Sequence, residues 1–365
     1  MRSHSLRATV VNLKGLKTVA ICLLIFNALS LISIYSSLHQ AGEFVGQQIL
    51  YRQLLWIAVS WLALLIFANI NYRIYFDLAH LIYGFNLLLL FWVLFFGKKV
   101  MGAQRWIEIF GFTFQPSELS KIATIIILAK FFSSRQESIH AFLLPLGFTA
   151  FNALVILIQP DLGTALIIVF LFLALGLFSR IPKRYFFGLI AIGLLISPFL
   201  IGSLKDYQKR RLLVFMNSDL DPLGAGYTII QSKIAVGSGK FTGRGFLSGT
   251  QNQFNFLPER HTDFIFTVIA EEWGFFGSLF LIILYWLILS KVLQRAKETQ
   301  DQFACFLCLG ISLLFFLHIF INIGMTLGIL PVVGLPLIFL SYGGSSLLVS
   351  FILLGIFFNI SRSRK

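Results

Sequence analysis

The stretch Leu-Pro-Glu-Arg-His-Thr-Asp-Phe-Ile-Phe at 257–266 gathers Glu259, Arg260, His261 and Asp263 at the mouth of a long apolar run. A carboxylate held at such a boundary suits general-base work on a hydroxyl, a step typically contributing about 10²–10⁴-fold. The plainer role for Asp263 is an N-cap, accepting from the first N–H groups of the helix that follows. An N-cap does not account for Glu259, Arg260 and His261 crowding the same turn. Glu271 and Glu272 come roughly 12–14 Å further along that helix and face different ways, so a neighbouring helix is expected to satisfy one of them. Of the six histidines, only His261 is set in a cluster of charged groups.

Three other clusters carry polar groups next to apolar sequence. In Gln-Pro-Ser-Glu-Leu-Ser-Lys (115–121), Pro116 suits a first helical turn, and Glu118 and Lys121 share a helix face. The pair is either a helix-end ion pair, the lining of a polar cavity, or both. Residues 221–245 are rich in glycine, permitting tight turns and close approach to a ligand. Within them, Gly226–Ser238 has the spacing of a short amphipathic helix. The run 328–348 mixes Pro and Gly with Ser341, Ser345 and Ser346, and packing is its default role. The Cys305-x-x-Cys308 pair reads as packing. The likeness of 114–119 to 158–163 reads as shared helix-start chemistry.

The positions of these residues follow from the solvent the chain is built for. Its 365 residues are 58% hydrophobic and 12% charged, with 41 Phe, and mean hydropathy is +0.87. This excludes an ordinary soluble domain, which carries about 25% charge. An all-α polytopic membrane protein of about ten transmembrane helices is predicted, with spans near 16–35, 50–70, 76–96, 117–132, 142–158, 162–178, 185–201, 264–289, 303–327 and 339–361. Gln159-Pro160-Asp161 splits what would otherwise be too long a single crossing. Basic residues crowd the tails and one set of loops, whereas short loops 36–49 and 328–338 have none. The positive-inside rule then places both termini in the cytoplasm and a large loop, 202–262, between helices seven and eight outside. One integral membrane domain, 1–365, with cytoplasmic tails 1–15 and 362–365, is expected.

Taken together, the motifs resemble the SEDS family of shape, elongation, division and sporulation proteins. They are Gln-Pro-Ser-Glu with a following Lys, Gln-Pro-Asp-Leu-Gly-Thr-Ala-Leu at 159–166, Gly-Ala-Gly-Tyr with Gln231-Ser232, the 257–266 stretch with Glu271-Glu272, and 322–348. The wording is closer to the elongation branch than to the division branch. Thr228 and Lys240 depart from the usual pattern. The resemblance implies ten transmembrane helices and a large extracytoplasmic loop, in the bacterial cytoplasmic membrane. It also implies a peptidoglycan glycosyltransferase that polymerises lipid II on the outer face and works with a class B penicillin-binding protein, a transpeptidase. Its catalytic Asp falls on Asp263 and its cavity ion pair on Glu118 and Lys121.

On that reading Asp263 takes the proton from an acceptor hydroxyl. Desolvation would raise its pKa, and Arg260 or Lys121 would oppose the rise. Cations for the departing pyrophosphate are sought among Arg105, Lys121, Arg210, Arg211, Lys233 and Arg260. Gln231, Ser232, Glu259, His261, Glu271 and Ser345 complete the candidate substrate cavity. No metal motif is visible, and the candidate cofactor is a divalent cation, Mg²⁺ or Mn²⁺. Membrane lipids are expected as partners and nucleic acid is not. The alternatives are a lipid II flippase, for which Glu271 and Glu272 would line a midplane path, an O-antigen ligase-like glycosyltransferase, and a non-catalytic scaffold.

Overall fold

The apolar runs form helices because a chain in lipid has to satisfy its own backbone hydrogen bonds. The computed structural model describes residues 2–363 except 40–42, 101–102, 110–111, 135–136, 203–208, 210–212, 217–220, 222–223 and 255. In chain order these helices are α1 (Arg2–Leu38), α2 (Glu43–Asn69), α3 (Arg73–Asp77), α4 (Ala79–Phe96), α5 (Pro116–Phe132), α6 (Ile139–Ile158), α7 (Leu162–Phe178) and α8 (Lys183–Gly202). They continue with α9 (Ala225–Ser238), α10 (Thr250–Gln253), α11 (Ile265–Glu298), α12 (Gln302–Thr326) and α13 (Gly344–Arg362). Among the described residues, seven helices are long and apolar enough to cross a membrane, and α7 is apolar but shorter. The molecule is a helical membrane protein.

Three strands interrupt the helices where no element was predicted. β1 (Lys98–Val100), β2 (Ala103–Ile109) and β3 (Phe112–Phe114) form an antiparallel sheet in that order. Ile107 pairs with Phe114 and Ile109 with Phe112. The alternation Arg105-Trp106-Ile107-Glu108-Ile109, with Gly102 and Gly111 at its ends, is the sequence signal for such a hairpin.

The core lies where α13 is enclosed by α1, α2, α5 and α12, with α2 making its most extensive contact. A Cβ on Gly344 would overlap the Trp56 ring, and one on Gly355 would come within 2.8 Å of the Leu64 carbonyl, so the two helices approach backbone to side chain. α13 begins at Gly344 and not at Phe339. Residues 331–337 have no regular structure and 338–342 form turns, with Phe339 at φ 65°. Irregular backbone among spans is tolerated when protein buries it, and Leu335, Leu337, Ile338, Phe339 and Leu340 are all buried.

α11 is broken at Gly274, where φ 66° and ψ −155° lie outside helical geometry. Such a break strands carbonyls before it and N–H groups after it. The glycine-rich loop 239–245 meets both sets. Arg244 N and Gly245 N donate to the Glu271 and Glu272 carbonyls at 2.9 and 3.0 Å, and Phe275 N and Phe276 N donate to Lys240 O and Phe241 O at 2.9 and 3.2 Å. The short segment 265–273 of α11, which carries Glu271 and Glu272, is thereby fixed against the loop.

Candidate active site

Helix α11 starts one residue later than the N-cap role for Asp263 requires. The cap position is Phe264, and no side-chain cap bond is made there. Asp263 instead lines a cavity of about 230 Å³ with Val214, Thr228, Ile229, Pro258, Glu259, Phe264, Val332 and Gly334. Its carboxylate lies against Gly334, where a Cβ would stand 3.4 Å from Asp263 Oδ2. Gly334 has φ 71°, a conformation that strains any residue with a side chain. Glycine here therefore supplies both the turn and the space beside the carboxylate.

The turn carrying Asp263 is held by backbone. Asn322 Nδ2 donates to Asp263 O at 2.8 Å and to Leu335 O at 2.7 Å. Ser341 Oγ donates to Thr262 O at 2.5 Å, and Tyr342 N donates to His261 O at 2.9 Å. Glu259, at φ 52°, is exposed and accepts from Thr262 Oγ1 at 2.9 Å. His261 packs against Tyr342 with ring centroids 5.9 Å apart and planes tilted by 48°. Burial holds the His261 imidazole below its usual range. The Glu259 charge opposes that shift and the Arg260 charge adds to it.

Arg260 is not among the residues that line this cavity. It is buried and its Nε donates to the Ser37 carbonyl at the end of α1. A helix C-terminus leaves carbonyls without partners and carries partial negative charge, so a guanidinium is favourable there. Glu271 does not line the cavity either. Its carboxylate accepts from Gln251 N at 3.0 Å, Asn252 N at 3.3 Å and Asn252 Nδ2 at 2.6 Å. It therefore meets the free N–H groups at the start of α10, favourable chemistry for an anion at a helix N-terminus. Glu272 accepts from Ser36 Oγ of α1. Both carboxylates are thus satisfied, by different elements.

Glu118 and Lys121 do form the predicted pair, with Oε1 and Nζ 2.5 Å apart and both side chains buried. Lys121 Nζ also lies 3.0 Å from His318 Nε2, a partner absent from the sequence reading. His318 Nδ1 is 3.3 Å from the Pro336 carbonyl. His318 and Asn322 are four residues apart on α12, and that polar spacing within an apolar helix was the signal available for them.

The two Gln-Pro motifs are in contact, beyond any shared helix-start chemistry. Gln115 Nε2 and Ser117 Oγ donate to Asp161 Oδ2 at 2.8 and 2.9 Å. Arg105 Nη1 lies 3.9 Å from Asp161 Oδ1, and Ser345 Oγ accepts from Gln115 N at 3.1 Å. Ser232 Oγ donates to Thr326 O at 2.6 Å and so ties α9 to the end of α12. The Lys233 stem runs over Gly328, whose added Cβ would come within 2.1 Å of Lys233 Cε. Gln231 is half-buried on α9. Arg210 and Arg211 lie outside the described residues. Cys305 and Cys308 are free thiols.

The helical bundle, its buried charges and a carboxylate beside a cavity where α11 begins define a polytopic membrane protein with a polar site at one end of its spans. Residues 16–365 match the model of the FtsW/RodA/SpoVE family, described as cell cycle proteins, and the chain belongs to that family. It is 38% identical over 354 residues to the peptidoglycan glycosyltransferase MrdB of Escherichia coli (strain K12), covering 95% of this chain and 92% of that protein. It is 30% identical to the peptidoglycan glycosyltransferase RodA of Treponema pallidum (strain Nichols), covering 93% and 95%. Its fold matches a chain in a structure described as "Structural coordination of polymerization and crosslinking by a peptidoglycan synthase complex". That match has TM-score 0.80 and 30% identity, covering 94% of this chain and 96% of that one. The crystal structure of the rod shape determining protein RodA of Thermus thermophilus matches with TM-score 0.71 and 29% identity, covering 94% and 95%.

Proposed function

We propose that the chain is a peptidoglycan glycosyltransferase that polymerises lipid II at the outer face of the bacterial cytoplasmic membrane, with Asp263 as general base. The observation that carries this is the Asp263 carboxylate lining a cavity of about 230 Å³ in a chain 38% identical to a named peptidoglycan glycosyltransferase. Ten crossings, cytoplasmic termini and an extracytoplasmic loop 202–262 belong to the same reading, supported by the distribution of basic residues.

In the reaction, Asp263 accepts the proton of the GlcNAc 4-hydroxyl as its oxygen bonds to the anomeric carbon of a second molecule's MurNAc. The bond from that carbon to undecaprenyl pyrophosphate breaks, and the electron pair leaves with the phosphate. A single displacement inverts the anomeric centre from α to β. Charge grows on the pyrophosphate, where fixed cations act most strongly. Lys233 is the described candidate for that task, since Arg260, Lys121 and Arg105 are engaged elsewhere. Asp263 and Glu259 are the two carboxylates in the cavity. A divalent ion there would draw its remaining ligands from the phosphates and water, as Mg²⁺ commonly does. A class B penicillin-binding protein as partner is supported by the likeness to a chain of a peptidoglycan synthase complex.

Purified full-length chain incubated with lipid II in detergent tests the reading. A glycan ladder is expected from the parent and none from Asp263→Ala. Lipid II left unpolymerised by the parent, or a ladder of unchanged yield from the variant, overturns it. The same assay separates the flippase alternative, which makes no glycan in detergent.

A further inference from the structure

Helix α12 touches the cavity wall twice from one face. Asn322 Nδ2 bonds Leu335 O and Asp263 O, and one turn earlier His318 Nδ1 reaches Pro336 O at 3.3 Å. The segment they hold, 331–337, supplies Val332 and Gly334 to the cavity. It lacks a ladder of its own, so side chains have to fix its position. His318 and Lys121 are each 1% exposed.

The hydrogen-bond chemistry of this contact determines the imidazole's state. Lys121 Nζ is a donor without acceptor capacity, and it stands 3.0 Å from His318 Nε2. Nε2 therefore accepts, the ring is neutral, and its proton is on Nδ1, facing the Pro336 carbonyl. An imidazolium would present two N–H donors and set one of them against the ammonium. The buried Glu118–Lys121 pair thus serves a second purpose, selecting the tautomer that makes His318 a donor to the wall.

We propose that His318 is a positioning residue for the Asp263 cavity, a neutral bridge that fixes residues 331–337 by donating from Nδ1 to the Pro336 carbonyl. Its effect on activity rests on the glycosyltransferase reading above. Its effect on the wall does not.

Two substitutions separate the halves of the bridge. His318→Asn keeps a donor near the Nδ1 position and loses the acceptor for Lys121, whereas His318→Gln keeps the acceptor and withdraws the donor from Pro336. His318→Leu removes both. Turnover close to the parent is expected for His318→Asn. For His318→Gln and His318→Leu, kcat should fall about 10-fold with KM for lipid II unchanged, since misplacement by a fraction of an ångström weakens chemistry more than binding. A second measurement needs no activity. In a background with Cys22, Cys305 and Cys308 replaced by alanine, maleimide labelling of Val332→Cys should be several-fold faster with His318→Leu or His318→Gln. With His318→Asn it should match the parent. Equal kcat for the Asn and Gln variants, or parental labelling in the Leu variant, overturns the proposal. A parent that makes no glycan, while the labelling differences persist, removes the enzymatic reading and leaves the positioning role standing.

Discussion

Asn322 joins Asp263 to the segment opposite it, donating to the Asp263 carbonyl at 2.8 Å while also donating to the Leu335 carbonyl at 2.7 Å. One side-chain amide thus sets the distance between the proposed base and the wall it faces. Replacing Asn322 with Leu leaves two carbonyls without their donor. A stability loss of about 1–3 kcal/mol is expected, the usual cost of unmet buried polar groups. Thermal melting in detergent reads the loss. Glycan synthesis should fall further than melting accounts for, because the Asp263 turn moves.

Asp263→Asn keeps the shape of the side chain and removes its basicity. Polymerisation should fall by about 10²–10⁴-fold, the range typical for losing a general base, with an unchanged melting temperature. Single-turnover glycan synthesis measures it. An equal drop in melting temperature would show that Asp263 is structural.

Glu271 contrasts with Asp263, since it is fully buried and its acceptors meet N–H groups of Gln251 and Asn252. Glu271→Ala strands those donors and loosens loop 239–253 from the break in α11. A loss of about 1–3 kcal/mol is expected, together with faster proteolysis in 239–256. Activity should fall in parallel with the folded fraction. Loss of catalysis in fully folded protein would return Glu271 to the substrate path.

His261 predicts a pH dependence of stability. Burial holds its folded pKa below the ordinary 6.5, with Glu259 opposing and Arg260 reinforcing. The unfolded chain therefore binds more protons than the folded one in the window from 6.5 down to the folded value. Stability should fall with acidification through that window and level off below it. His261→Phe should remove this part of the slope, as melting temperatures measured across the same pH range would show.

Gly334→Val tests the cavity wall directly. Valine at φ 71° is strained, and its branched side chain would enter the space beside Asp263 Oδ2, 3.4 Å from the Cβ position. Loss of glycan synthesis is expected, with substrate affinity lowered as well as turnover. Unimpaired activity would place the substrate elsewhere.

Much of the architecture was legible in the chain because lipid imposes a simple rule on it: long apolar runs become helices, and charged residues among them need partners. The Glu118–Lys121 pair follows from three-residue spacing alone, and α9 from the apolar period within 226–238. The hairpin at 98–114 is weakly marked in the sequence because its strands are short and lie between strong helical signals. What the linear order could not contain is which element each polar group would meet. Arg260, His261 and Asp263 sit within four residues of one another, yet Arg260 turns to the end of α1 while Asp263 turns to the cavity. Glu271 and Glu272 are adjacent, yet one meets the start of α10 and the other meets α1. His318 and Asn322 stand out as polar residues in an apolar helix and Gly334 lies in a marked motif, yet their contacts with the site arise only when helix packing brings them to it. Local sequence determines secondary structure through periodicity and hydrogen-bond self-sufficiency, which are short-range. The neighbours of a buried polar group are chosen by long-range packing, where the cost of leaving it unpaired decides among arrangements that adjacent residues do not encode.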